Sequence, residues 1–220
     1  MRVFVAIAAA VGWFALVLQY VLLVRRDLPI DLLTRTINYF GFFTILSNIL
    51  AALTLTFAAF PSLAAPARFF NRQSVRGGVA AYMTITGLVY FLLLRHLRPL
   101  EGWALVADRT LHDVMPVLFV GFWLLAATTG TLRIKNALVW LIFPVAFTIY
   151  SLIRGAYTGR YPYPFLDVAK LGYPQTFTNI AMLLIGFVVL ALILLALDRV
   201  IGRRRTGRRS AAFARHRRPL

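Results

Sequence analysis

The sequence predicts an all-α fold, an integral membrane six-helix transmembrane bundle with both termini cytoplasmic. Three observations carry that expectation. Apolar residues make up 60% of the 220-residue chain and mean hydropathy is +0.78, more apolar surface than one soluble globule hides. Apolar runs of bilayer-spanning length recur six times. Basic residues are shared unevenly between alternate connections.

The runs fall at about residues 3–24, 39–60, 77–94, 111–131, 137–153 and 177–197. Arg25 and Arg26 end the first, and Pro61 and Pro66 follow the second. Arg95 and Pro99 follow the third, and Arg133 and Lys135 the fourth. The first run begins like a secretory signal. It is too long for one, however, and stops at arginines rather than at a small-residue cleavage site, so it reads as a retained span. The absence of cysteine excludes disulfides and thiolate chemistry.

An even number of spans puts both ends of the chain on one side. The N-terminus, the second and fourth connections and the tail hold 15 of the 24 basic residues. That side is therefore expected to be cytoplasmic. Of the seven acids, Asp27, Asp31, Glu101, Asp108, Asp113 and Asp167 then face outward, and Asp198 faces inward.

Residues 1–200 form the transmembrane domain on this reading, and 201–220 a basic cytoplasmic tail. The net charge of +17 is concentrated there: Arg199, Arg203, Arg204, Arg205, Arg208, Arg209, Arg215, Arg217 and Arg218 follow the last run. Such a tail is attracted to anionic lipid headgroups, by up to about 1 kcal/mol per basic residue near the surface. It lacks the interleaved aromatics and folded reader of a nucleic-acid module, so no nucleic-acid partner is expected.

The longest connection, about 154–176, contains "YTGRYPYPFLDVAKLGYP", with Tyr157, Tyr161, Tyr163, Phe165 and Tyr173 among three prolines. The residue before each proline is driven toward extended backbone. Two roles fit this segment: an aromatic belt at the membrane interface, or a lid over an opening between helices.

Polar side chains inside spans carry the functional signal, because each must be satisfied by a neighbour or by water. On the assigned orientation Gln19, Asn38, Thr44, Ser47, Asn48, Tyr90 and Arg95 lie toward the outer half of the first three spans. His112, Asp113, Tyr150, Ser151, Arg154, Thr176, Thr178 and Asn179 do so in the last three. Thr54, Thr56, Thr84 and Thr86 lie deeper or further inward. All six spans thus contribute to an outward polar cavity.

Thr44, Ser47 and Asn48 are spaced i, i+3, i+4 and share one helix face. Interhelical hydrogen-bond glue explains such a stripe. Nucleophilic chemistry explains it as well, provided a base removes the threonine proton. His112 is the one histidine inside a span; His96 sits at a helix end and His216 in the tail. Asp108 lies four residues before it, on the same face if the helix reaches that far, placed to hold one ring nitrogen protonated and leave the other free. Asp113 projects about 100° away. Pro116 has no N–H for the carbonyl of His112, so a bend is expected there. Thr44 and His112 lie one to two turns into their spans, at similar depths.

Three stretches, "FFTILSN" in the second span, "LHDVMP" opening the fourth and "YPYPFLDV" before the sixth, occur in this order. In these the chain resembles the androgen-induced and androgen-dependent six-span membrane hydrolases, and more closely their bacterial relatives, over about residues 1–200. The resemblance implies a threonine hydrolase of fatty acid esters of hydroxy fatty acids, with Thr44 and His112 as the catalytic pair. It also implies a multi-pass protein of the cell membrane, in bacteria the inner (plasma) membrane.

The resulting expectation is hydrolysis of a lipid-like ester, with membrane lipids as surroundings. Thr44 is the nucleophile, His112 the base and Asp108 its orienter. Ser47, Asn48 or a tyrosine such as Tyr90 serves the substrate's developing oxyanion, and Arg95 or Arg154 a fatty-acid carboxylate. No cofactor is implied. One interior histidine with scattered carboxylates falls short of a zinc ligand set, and "VRGGVA" lacks the lysine and preceding strand of a phosphate loop. The alternatives are a small-solute transporter, for which the sequence shows no convincing inverted repeat, and a non-catalytic scaffold.

Overall fold

The structure, a computed structural model, describes residues 1–26, 29–97, 99–127 and 129–216, with the backbone alone for 127 and 203–216. Asp27 and the side chains of the tail arginines from Arg203 onward lie outside the described residues. Helices and the loops joining them account for the described chain, and no strand occurs in it.

Among the described residues eight helices follow one another: α1 (Arg2–Val24), α2 (Leu32–Phe40), α3 (Phe43–Ala59), α4 (Ala65–Phe70), α5 (Gln73–Leu94), α6 (Gly102–Ala126), α7 (Ile134–Thr158) and α8 (Val168–His216), the last kinked near its start at Gly172, where the backbone is not helical. Five of them, α1, α5, α6, α7 and α8 over Val168–Gly202, are long and apolar enough to cross a membrane; the pair α2 and α3 makes a sixth if its two halves count as one span. The chain is therefore a multi-pass membrane protein by the length and composition of its helices.

Two boundaries differ from the sequence expectation. The second span is broken, α2 and α3 meeting at 72°. Gly41 ends α2 and Phe42 is extended (φ −107°, ψ 131°), which restarts the helix at Phe43. The fourth span begins at Gly102, well before residue 111, because charged residues of its first turns find partners within the protein (below). Asp31 caps α2 by accepting the Thr34 N–H at 2.9 Å and hydroxyl at 2.6 Å, bonds that hold its carboxyl below the ordinary carboxylate range.

Small residues let the helices approach. Ala8, Gly12 and Leu16 of α1 lie one turn apart and pack against Ala51, Ala52 and Leu55 of α3 and Met115 of α6. A Cβ on Gly12 would stand 2.7 Å from the Met115 methyl. This close approach is the packing expected where water supplies no drive between helices. Gly77 and Gly78 of α5 likewise receive the indole of Trp140 from α7. The core between these helices is filled by Leu55, Met83, Met115, Phe119, Trp123 and Phe187.

Prolines inside spans are accommodated locally. Pro144 leaves the carbonyl of Trp140 without its helical donor, and the Tyr82 hydroxyl donates to it at 3.0 Å. At Pro116 the helix responds differently, widening into a π-turn over Thr110–Val114. π-turns of this kind recur at functional sites.

Candidate functional site

Thr44 occupies the first turn of α3, immediately after the break at Gly41 and Phe42. That position gives its N–H no helical acceptor. His112 sits in the π-turn of α6 and Asp108 one turn before it. Gly87 of α5 faces the carbonyl of His112, where a Cβ would come within 3.2 Å, so α5 and α6 touch at this level.

The hydroxyl of Thr44 lies 3.1 Å from His112 Nε2. On the other side of the ring, Nδ1 is 2.9 Å from the Asp108 carbonyl and 3.2 Å from Asp108 Oδ1. The carbonyl can only accept, so Nδ1 carries the hydrogen and Nε2 presents its lone pair to Thr44. Asp108 Oδ2 accepts from the Tyr90 hydroxyl, and the Tyr90 ring stacks on His112 at 4.2 Å between centroids. Thr44 is 8% exposed, and the His112 and Asp108 side chains 15% and 17%, so the group is shielded but reachable.

The sequence-predicted residues divide into two sets. Thr44, His112, Asp108 and Tyr90 converge, although Tyr90 braces the imidazole and carboxylate instead of facing the cavity described below. Ser47 and Asn48 lie behind the threonine. Ser47 donates to the Thr44 carbonyl at 3.1 Å and pairs with Thr86 at 3.0 Å, while the Asn48 amide donates to the carbonyls of Thr44 and Leu111 at 2.9 and 3.1 Å. The asparagine thereby ties α3 to α6 across the site.

The two arginines are held apart from the threonine. Arg95 pairs with Asp113 at 3.2 Å, and Arg109 meets the same carboxylate at 3.0 Å. Arg154 donates to Asn38 and packs its guanidinium over Gly41, at the C-terminal end of α2. A cation there complements the helix dipole and braces the break that exposes Thr44.

Beside Thr44 opens a cavity with about 680 Å³ of empty space, part of it continuous with the exterior. Its wall is mostly apolar, with Phe147 and Pro144 from α7, Ile180, Leu184 and Phe187 from α8, and Phe43 and Val89 opposite. Thr44, Thr86, Thr148 and Tyr163 supply its polar points.

Tyr163 is a site residue that sequence reasoning did not single out. It belongs to the proline-rich connection, which folds into a short 3-10 turn, Pro164–Leu166, with Leu166 buried. The Thr44 N–H donates to the Tyr163 oxygen at 3.3 Å, and the two hydroxyl oxygens are 3.5 Å apart. The available signal was its place inside "YPYPFLDV"; which of five aromatics turns inward is set by distant contacts that periodicity does not encode.

No protein-family model, curated protein or solved structure matches the chain.

Proposed function

We propose that the protein is a membrane-embedded hydrolase of lipid-like carboxylic esters, with Thr44 as nucleophile and His112 as general base. The observation that carries this reading is the 3.1 Å contact between the Thr44 hydroxyl and the lone-pair nitrogen of an imidazole whose other nitrogen is held by Asp108, at the wall of an apolar cavity. A nucleophile in reach of a base, with the base oriented by a third group, is the arrangement acyl transfer needs.

In the reaction, Thr44 Oγ1 bonds to the ester carbonyl carbon while its proton passes to His112 Nε2 and the carbonyl π pair moves onto oxygen. Collapse of that adduct breaks the bond to the alcohol oxygen, which takes the proton from His112. Water then attacks the acyl-threonine, giving its proton to His112. The acid departs, and the proton returns to Thr44. Asp108 steadies the transient imidazolium.

The same reading places the protein in the cell membrane, the bacterial plasma membrane by its motif resemblance, with six spans and both termini cytoplasmic. The site then lies near the outer leaflet. The arginine-rich tail meets anionic headgroups on the cytoplasmic face.

Purified protein and its Thr44→Ala and His112→Ala variants test the reading by fluorophosphonate labelling and by fatty-acid release from long-chain esters. The hydrolase reading expects labelling and release from the parent protein and loss of both in each variant. Release undiminished in Thr44→Ala, or solute flux through proteoliposomes with no labelling, overturns it.

A further inference from the structure

Resting on the ester-hydrolase reading, we infer that Tyr163 is a catalytic residue, its hydroxyl donating a hydrogen bond to the oxyanion that forms when Thr44 attacks the ester carbonyl. The groups next to Thr44 in sequence are already committed. The Ser47 hydroxyl donates to a main-chain carbonyl, and both acceptors within reach of the Asn48 amide nitrogen are main-chain carbonyls. Tyr163, by contrast, lines the cavity on the side from which a substrate meets the nucleophile.

The geometry fixes how its hydrogen is used. Tyr163 accepts the Thr44 N–H through an oxygen lone pair, so its own O–H points elsewhere. Besides the backbone of Phe43 and Thr44, its hydroxyl meets Thr44 Oγ1 at 3.5 Å, a long contact. When Oγ1 bonds to the carbonyl carbon, the former carbonyl oxygen becomes the nearby group with the greatest demand for that hydrogen. Lying near the first turn of α3, the new oxyanion also feels the positive end of the helix dipole.

Packing pre-sets the ring. It stacks on Phe165 at 5.1 Å and 8°, meets Phe42 edge-on at 6.1 Å and lies against Phe147 at 6.2 Å. Asn179 of α8 donates to the Phe165 carbonyl at 3.1 Å, fastening the loop from the other side. Burial raises the phenol above its ordinary range, which keeps the hydrogen on oxygen. A donor fixed before reaction costs no reorganisation during it.

Tyr163→Phe removes one oxygen and keeps the ring contacts. The expected result is a fall in kcat of about 10²-fold or more with KM changed by no more than roughly threefold. A long-chain trifluoromethyl ketone, whose hemiketal with Thr44 carries an oxyanion, should lose affinity in parallel. An ether analogue of the same chain, which forms no oxyanion, should bind both proteins equally. Phe165→Leu, which loosens the loop but leaves the hydroxyl, should cost much less in kcat.

An unchanged kcat or ketone affinity in Tyr163→Phe overturns the assignment. So does an equal loss of ether and ketone binding, which would mark the tyrosine as merely structural. If Thr44→Ala is inactive while Tyr163→Phe is fully active, the hydrolase reading stands and only the tyrosine's role falls. If Thr44→Ala retains activity, both fall together.

Discussion

The two walls of the cavity are built on opposite plans. One wall, from α3 and α5, sets Thr44 and Thr86 among apolar residues such as Phe43 and Val89, and is backed by His112, Asp108, Tyr90, Ser47 and Asn48, which with the two threonines form a continuous hydrogen-bonded set. The other, from α7 and α8, presents Pro144, Phe147, Ile180, Leu184 and Phe187 and shares only Thr148 and the loop's Tyr163 as polar points. The apolar stretch of α5 is half buried in the protein, whereas those of α7 and α8 are 22% buried. The polar wall is thus locked by its neighbours, because an unpaired group there has no water to fall back on. The apolar wall is free to vary in shape. On the proposed hydrolase reading, the contrast assigns chemistry to the first and choice of substrate to the second.

The sharpest way to break that division is His112→Ala. With the base gone, Thr44 loses the acceptor for its proton, and ester hydrolysis should fall on the order of 10³-fold or more. Release of fatty acid by protein that still elutes as the parent does would measure it. Undiminished turnover would move the chemistry away from this wall altogether.

Asp108→Asn comes next and asks whether the carboxylate orients the imidazole. An asparagine amide can donate to Nδ1 and so hold the hydrogen on Nε2, which then faces Thr44 with no lone pair. The expectation is a loss in kcat of about 10²–10⁴-fold with little change in KM. Steady-state kinetics on a soluble long-chain ester separates the two constants. A change confined to KM would make Asp108 a substrate ligand instead.

The second wall is tested by narrowing it. Leu184 belongs both to the cavity and to an apolar groove between α7 and α8 lined by Leu141, Val145, Ile185 and Val188. Leu184→Trp should lower kcat/KM for long acyl chains relative to short ones by roughly tenfold, the scale on which apolar pockets discriminate size. Equal losses across chain lengths would show that this wall does not select.

Much of the first wall was legible in the sequence, and the reason is local. The i, i+3, i+4 spacing of Thr44, Ser47 and Asn48 and the i, i+4 spacing of Asp108 and His112 fix helix faces without reference to the rest of the fold. Their depth in neighbouring spans then brings threonine and histidine level. What was not legible depends on contacts distant in sequence. Arg154 and Asn38 are 116 residues apart, and Tyr163 and Thr44 119. The break at Gly41 also escapes periodicity, since the apolar run reads on without interruption from Tyr39 through Phe43. Depth put Tyr90 in the outer half of its span as a group serving the substrate, whereas its stacking on His112 is a contact between spans that depth does not encode.

The smallest expected effect is the most discriminating of all, because it opposes two aspartates five residues apart. Asp108 reaches the imidazole, whereas Asp113 holds Arg95 and Arg109, each of these side chains about one-third exposed. Ion pairs that solvent screens contribute at most about 1 kcal/mol. Asp113→Asn should therefore shift thermal unfolding slightly and leave kcat within roughly twofold of the parent, since no group that touches Thr44 moves. If it cost as much as Asp108→Asn, the imidazole would have to take its orientation from the other face of α6. The 3.2 Å contact between His112 and Asp108 would then be a bystander, and Arg95, freed by the substitution, would become the group to follow.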